Sequence, residues 1–321
     1  MARFVAWLGR NSDGMIALLL AVSIGVLGLA DVVGTSQVTE ATLLILAVIA
    51  VVLLRDRVHA SVAEREIKQR LAHVGEIEET VRIMRTAMEE MAGVRILHGP
   101  EVGKALEKAR SKTDQWTFRG GTGTYLRAVT LPGCIEQARQ EKRGLRIRLQ
   151  IIDPTDEEVC DRYARFRRSL SAQPDGTGER WTLERTRKES FATVLAACWH
   201  RQRFDLLDID VRLSSLVTTF RWDVSSECII ITQEDPQVPA LMFERGKFYY
   251  DRWNTELQTS LDQAQRVPVK EAAKAISLSD EPTVDEVKRL FSRLNLDLPS
   301  SFSQSSVQDI IQKAIQAKNP Y

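Results

Sequence analysis

The residues best suited to chemistry fall in one short run, Arg119-Gly120-Gly121-Thr122-Gly123-Thr124-Tyr125, with Arg127 just beyond it. Glycine lets backbone amides approach a ligand closely, and successive amides in such a turn can form an anion-binding nest. Flanking guanidinium groups suit phosphate or carboxylate. The run is neither a Walker A loop nor the GxGxxG dinucleotide fingerprint, and a plain tight turn accounts for its glycines equally well. Gly99 to Lys104, GPEVGK, has one residue too few between its glycines for a Walker A loop. It also places Ala105 where Ser or Thr should reach magnesium, and is set aside.

No catalytic constellation stands beside this loop. His59, His73, His98 and His200 have no carboxylate or nucleophile paired with them in sequence, so surface or packing roles are expected. Cys134, Cys160, Cys198 and Cys228 form no CxxC pair. Neither a metal site nor a disulfide framework is expected, and the dispersed thiols fit a reducing compartment. No cofactor is called for. The arginines at 162, 165, 167 and 168 lie beside Glu157, Glu158 and Asp161, which reads as a solvated salt-bridge face. Tyr249, Tyr250 and Trp253 read as core aromatics.

The elements that must position the loop follow from periodicity. Trp116 onward starts as a strand and runs into the glycines, and a helix over Leu131 to Glu141 begins near Pro132. Leu145, Ile147, Leu149 and Ile151 alternate with polar residues up to Asp153-Pro154, as a strand does. A helix capped by Thr155 follows, then a loop over residues 171–180 and a helix with Phe191, Val194, Leu195, Cys198 and Trp199 on one face. Strands are expected at Asp208 to Leu213, Thr218 to Trp222, Cys228 to Thr232, Ala240 to Phe243 and Phe248 to Tyr250, and a helix over Asp251 to Gln265. This alternation predicts an α/β fold, a layered sheet with flanking helices, over residues 93–275. Residues 276–321 read as a small helical appendage of two amphipathic helices, the first capped around Thr283.

The 321 residues carry 44 basic and 43 acidic side chains, a formal charge of +1, which gives no basis for broad nucleic-acid binding. The mean hydropathy of −0.20 averages two unlike regions. Met15 to Val33 is apolar except for Asp31, and nineteen residues rise about 28 Å, enough to span a bilayer. Residues 38–54 supply a second span whose uncharged core, Ala41 to Leu54, covers only about 21 Å. Arg3 and Arg10 precede the first run, Arg55 and Arg57 follow the second, and the turn between them has no basic residue. Basic outer flanks predict a transmembrane hairpin within residues 1–55, in the inner (cytoplasmic) membrane with both termini cytoplasmic. The competing reading is a cleaved signal peptide with small residues at Gly28 and Ala30. The second apolar run and its arginines stand against it. Residues 56–92 predict a helical stalk, with Val74, Ile77, Val81, Met84, Met88 and Met91 on one stripe. That stripe suits packing on the following domain and self-association equally.

From Thr113 to Gln265 the element order resembles one half of a phospholipase D-like domain. The matching stretches are the strand and loop at 116–127, RGLRIRLQIIDP, and TFRWDVSSECIIITQED. In that family the late strand pair carries H-x-K-x4-D. The corresponding positions here are Phe220, Trp222 and Glu227, so the histidine nucleophile and the phosphate-holding lysine are both missing. Arg221 is a nearby cation but no nucleophile. The resemblance implies a catalytically silent domain that keeps an anion-binding cleft, and half-domains of this kind pair as dimers. The ligand-binding candidates are then Arg119, Gly120, Gly121, Thr122, Gly123, Thr124, Arg127 and Arg221.

Three functions fit these residues. The first is a membrane-anchored sensor or effector whose cytosolic domain binds a small anionic or nucleotide ligand, or a partner, and controls homo-oligomeric assembly of the hairpin. Bacterial anti-phage defence uses this layout, by analogy alone. The second is a tethered scaffold recruiting a protein partner through residues 277–321. The third is a membrane-tethered phosphodiesterase or nucleotide-processing enzyme, disfavoured because no candidate nucleophile or base has a partner.

Overall fold

Period-two and continuous apolar segments assemble into one mixed sheet in the computed structural model, which describes residues 23, 46, 78–87, 93–170, 180–235 and 238–320. Apart from Ser23 and Leu46, the apolar runs at 15–33 and 38–54 lie outside the described residues, as does most of the proposed stalk. No helix among the described residues is long and apolar enough to cross a membrane. The chain divides into two compact units, Met1–Thr86 and Ala87–Tyr321. Residues 78–87 are helical, and Val81 and Met84 of the sequence-predicted stripe are exposed there.

The second unit contains strands β1 (Val94–Leu97), β2 (Gln115–Arg119), β3 (Leu145–Ile152), β4 (Leu207–Ser214), β5 (Phe220–Ser225), β6 (Cys228–Gln233), β7 (Ala240–Glu244) and β8 (Gln265–Val267). Their order across the sheet is β1-β7-β6-β5-β2-β3-β4-β8. β2, β3 and β4 are parallel neighbours, and every other pairing is antiparallel. Helices connect the parallel strands, as parallel pairing requires: α2 (Leu131–Gln140) between β2 and β3, then α3 (Glu157–Leu170) and α4 (Leu183–Arg203) between β3 and β4. α1 (Pro100–Ser111) precedes β2. α5 (Phe248–Gln263), α6 (Val269–Ala275), α7 (Val284–Arg293) and α8 (Gln304–Ile315) complete the chain.

Alternation along the strands assigns each face. Leu145, Ile147, Leu149 and Ile151 of β3 join the main core with residues of α2 and α4, while Arg148 and Gln150 face the other way and meet Gln258 and Ser260 of α5. α4 is buried on nearly every side, because the sheet lies against one flank and α8 against another. Val287, Leu290 and Phe291 of α7 and Val307, Ile310 and Ile311 of α8 belong to this same core. Phe291 and Phe302 both stack edge-on against Phe191, at 5.1 and 6.2 Å. Thr283 caps α7 through a reciprocal capping box with Glu286, at the cap position its sequence implies.

Several local expectations are corrected. Phe248 to Tyr250 open α5 and form no strand. Gly246, at φ +79°, reverses the chain just ahead of them, a conformation that favours glycine. α2 begins at Leu131 with Pro132 in its first turn, as expected; what the sequence reading lacked is the helical lead-in, where residues 124 and 125 are helical, a π-helical turn covers Leu126–Thr130, and Leu131 N–H donates to the Leu126 carbonyl. The wider turn accommodates a proline that cannot donate its own bond. Asp156, not Thr155, caps α3 by accepting from Val159 N–H at 3.1 Å, while Thr155 turns back to Asp153. β1, α1, α6 and β8 had no reading in the sequence analysis.

Candidate functional site

The glycine run leaves the C-terminal end of β2, and its first two glycines continue the pairing with β3. Gly120 N–H donates to the Gln150 carbonyl at 3.1 Å, and the Gly121 carbonyl accepts from Ile152 N–H at 3.1 Å. Gly121 lies flat against Tyr163 of α3, so that an added Cβ would sit 2.2 Å from the Tyr163 hydroxyl. Gly123 makes the turn into the next helix at φ +75°. Glycine is therefore needed for close approach at one position and for a left-handed turn at another.

The loop forms one wall of a narrow cleft lined by Phe118, Thr122, Gly123, Thr124, Tyr125, Tyr163, Arg167, Trp181, Arg221, Glu234 and Pro320. Its free volume is about 20 Å³, room for roughly one water. Glu234 sits at the centre. Its carboxylate accepts from the Tyr163 hydroxyl at 2.8 Å, pairs with the Arg167 guanidinium, and lies 3.8 Å from Arg221 Nη1. The side chains of Arg167, Arg221 and Glu234 are 8%, 12% and 8% exposed. Arg221 Nε also donates to Thr232 Oγ1 at 3.1 Å, and its guanidinium lies 5.8 Å from the Tyr125 ring. Trp181 stacks between Arg167 and Arg185, at 4.7 and 4.3 Å, and meets Tyr163 edge-on at 5.7 Å.

The eight ligand-binding candidates do not stay together. Thr122, Gly123, Thr124 and Arg221 line the cleft. Gly120 and Gly121 support it from the strand end. Arg127 lies behind it, 3% exposed, with Nη2 2.5 Å from Glu189 Oε2 and Nη1 donating to the Glu189 carbonyl and Thr193 Oγ1 at 2.8 and 2.9 Å. Lys313 of α8 approaches the same carboxylate at 3.1 Å, and Thr124 donates to it at 3.2 Å. Burial opposes ionisation of Glu189, but Arg127 and Lys313 outweigh it and hold the carboxyl at about 2. Arg127 therefore anchors the loop to α4. Arg119 is on the opposite face of the sheet, beside its cross-strand neighbour Trp222, with its guanidinium 4.9 Å from that ring.

Arg167 corrects the reading of α3 as a uniformly solvated charged face. Arg162 and Arg165 do form exposed pairs with Glu158 and Asp161, but Arg167 turns inward. Helical spacing holds the signal: Cys160, Tyr163 and Ala164 are buried, and 167 continues that row three and four residues on.

Asp223, two residues along β5 from Arg221 and on the same face, is 3% exposed and accepts from Trp116 Nε1 at 3.1 Å. Burial pushes its pKa up to about 6, against the pull of Arg221, that bond and Arg110.

Nucleophilic chemistry finds little support among the described residues. All four cysteines are free and buried, and burial pushes the thiols of Cys134, Cys160 and Cys198 up to about 12. Burial, with Arg139 and Arg203 nearby, pushes His200 down to about 4. No His, Cys, Asp and Glu grouping among the described residues could hold a metal ion. The positions corresponding to the phospholipase D histidine and lysine, Phe220 and Trp222, meet edge-to-face at 5.9 Å, and Trp222 joins a core with Tyr250 and Leu257 of α5.

No family model matches the chain, and no curated protein matches it. Among solved structures, the archaeal chromatin protein TrmBL2 is 9% identical with a TM-score of 0.32, over 65% of this chain and 71% of that one. Phosphatidylserine synthase of Haemophilus influenzae Rd KW20 is 10% identical with a TM-score of 0.37, over 57% of this chain and 45% of that one. Scores of this size do not establish a shared fold.

Proposed function

We propose that this protein is a membrane-anchored sensor or effector. Its α/β domain binds a small anionic ligand, a nucleotide among the candidates, and binding controls self-assembly of an N-terminal apolar hairpin. The observation that carries this reading is the cleft itself. Two nearly buried arginines, two tyrosine rings and a tryptophan converge beside a glycine loop. Guanidinium forks recognise phosphate or carboxylate, and aromatic faces accept a planar ring. A silent half of a phospholipase D-like domain fits the same features: the strand positions that need His and Lys carry Phe220 and Trp222. The hairpin reading rests on the two apolar runs and their basic flanks, and places the domain on the cytoplasmic side of the inner membrane.

Titration calorimetry tests the binding step, using the full chain in detergent against inorganic phosphate, pyrophosphate, mononucleotides and cyclic dinucleotides. At least one anion is expected to bind. Arg221→Gln should weaken it tenfold or more, whereas Arg119→Gln, on the far side of the sheet, should change it less than threefold. Equal losses in both variants would place the site elsewhere, and hydrolysis of any of these compounds would favour the enzyme reading.

A further inference from the structure

A separate polar cavity lies on the other face of the sheet, between β2, β3 and α5, where a helix resting on a sheet ordinarily buries apolar side chains. Its free volume is about 70 Å³, room for a few waters or one tetrahedral oxyanion. We propose that this cavity is a second anion site, which takes inorganic phosphate or a free oxyanion of the same shape and ties α5 to the sheet. The site is independent of the cleft and uses neither the glycine loop nor Arg221.

Strand register places its parts. Thr117 of β2 pairs with Arg148 of β3 on one side and with Val224 of β5 on the other, so these three residues form one row across the cavity floor. Asn254 and Gln258 are four apart on α5, hence on one helix face, and they line the same cavity from the helix side. Arg146, two residues before Arg148 on the same strand face, also lines it. Its side chain is 59% exposed and its Nε lies 3.4 Å from Asp208 Oδ2.

Three observations point to an anion. First, the charge of Arg148 is uncompensated: it has no ion-pair partner among the described residues, and no carboxylate among them lines the cavity. Its Nη1 donates to Gln258 Oε1, and its Nε and Nη2 make no hydrogen bond among the described residues. Second, Thr117 is 8% exposed, lines the cavity, and has a hydroxyl with no partner among the described residues. A hydroxyl so deeply buried is costly to leave unbonded. Third, the half-buried Asn254 amide and Gln258 Nε2 also make no hydrogen bond among the described residues. Guanidinium, hydroxyl and amide donors thus face one small space from the strands and from the helix. A guanidinium fork suits an oxyanion, and a tetrahedral one presents oxygens toward both walls at once. Bound there, it bridges α5 to β2 and β3, and the folded state gains stability by mass action.

Calorimetry of the full chain in detergent tests this on an Arg221→Gln background, which removes an arginine of the cleft. One inorganic phosphate per chain is expected to bind that protein, and adding Arg148→Gln should weaken it at least tenfold. Asn254→Ala, at a helix position that leaves the sheet untouched, should weaken it at least threefold and serves if Arg148→Gln does not fold. A nucleoside monophosphate, too large for the cavity, should bind this background at least tenfold more weakly than phosphate. Phosphate binding that disappears with Arg221→Gln, or that is unchanged by both Arg148→Gln and Asn254→Ala, overturns the second site. Tighter binding of the nucleotide overturns the assignment to a free oxyanion. Thermal unfolding supplies a second readout: phosphate should raise the Tm of Arg221→Gln more than that of the double variant. An equal rise in both, as exclusion of phosphate from protein surfaces produces, contradicts the site.

Discussion

Asp223 carries the clearest pH signature in the protein. Its ordinary value of 3.8 rises to about 6 in the folded chain, so between these values the native state holds a proton that the unfolded chain has released. Native stability therefore falls as pH rises from about 4 to about 6 and then levels off. A shift of about two units corresponds to roughly 3 kcal/mol. Asp223→Asn keeps an oxygen for Trp116 Nε1 but cannot ionise, and its amide needs a partner in a buried site, which offsets part of the gain. The variant should be more stable than wild type by about 1–2 kcal/mol above pH 6 and should lose the fall between pH 4 and 6. Denaturant midpoints measured across that range decide this, and parallel curves for the two proteins would contradict the assignment. Glu189 shows the opposite sign. Held at about 2, it adds stability above about pH 4.5, which is lost as pH falls toward 2.

The loop between β2 and α2 works as an element because close packing on one side fixes where its threonines lie on the other. Gly121→Ala should force Tyr163 away, since the new Cβ would sit 2.2 Å from its hydroxyl. Overpacking of this kind costs about 1–3 kcal/mol, and anion affinity should fall with it because Tyr163 also faces the cleft. Gly103→Ala in α1 has open space around its Cβ and should instead stabilise by about 0.5–1 kcal/mol. Denaturation of both variants separates a packing requirement from a general glycine effect, and a gain of stability in Gly121→Ala would contradict the packing. Much at this scale was readable from the sequence, because period-two alternation and short apolar runs locate β3, β4 and β6 directly. The start of α5 was not, since Phe248, Tyr249 and Tyr250 favour strands and only the turn at Gly246 reassigns them to a helix. Half of the cleft was legible in the glycine run and Arg221. Arg167 was readable only as a continuation of the buried row on α3. Its pairing with Glu234, 67 residues away, leaves no local trace in a sequence.

At the scale of the whole molecule, the C-terminal helices and the cleft share one network. Lys313 of α8 and Arg127 behind the loop both hold Glu189, so α8 belongs to the scaffold of the proposed site and is no detached appendage. The proposed output is a change in self-association, since a two-span hairpin of the kind proposed for the apolar runs could not enclose a pore within one chain. Sedimentation velocity of the full-length protein in detergent tests that proposal most directly, run with and without the phosphate-bearing compound that binds most tightly, on wild type and on Arg221→Gln. The expected result is a ligand-dependent increase to at least twice the protein mass in wild type and no response in the variant. An unchanged mass at saturating ligand, or the same increase in Arg221→Gln, would contradict it.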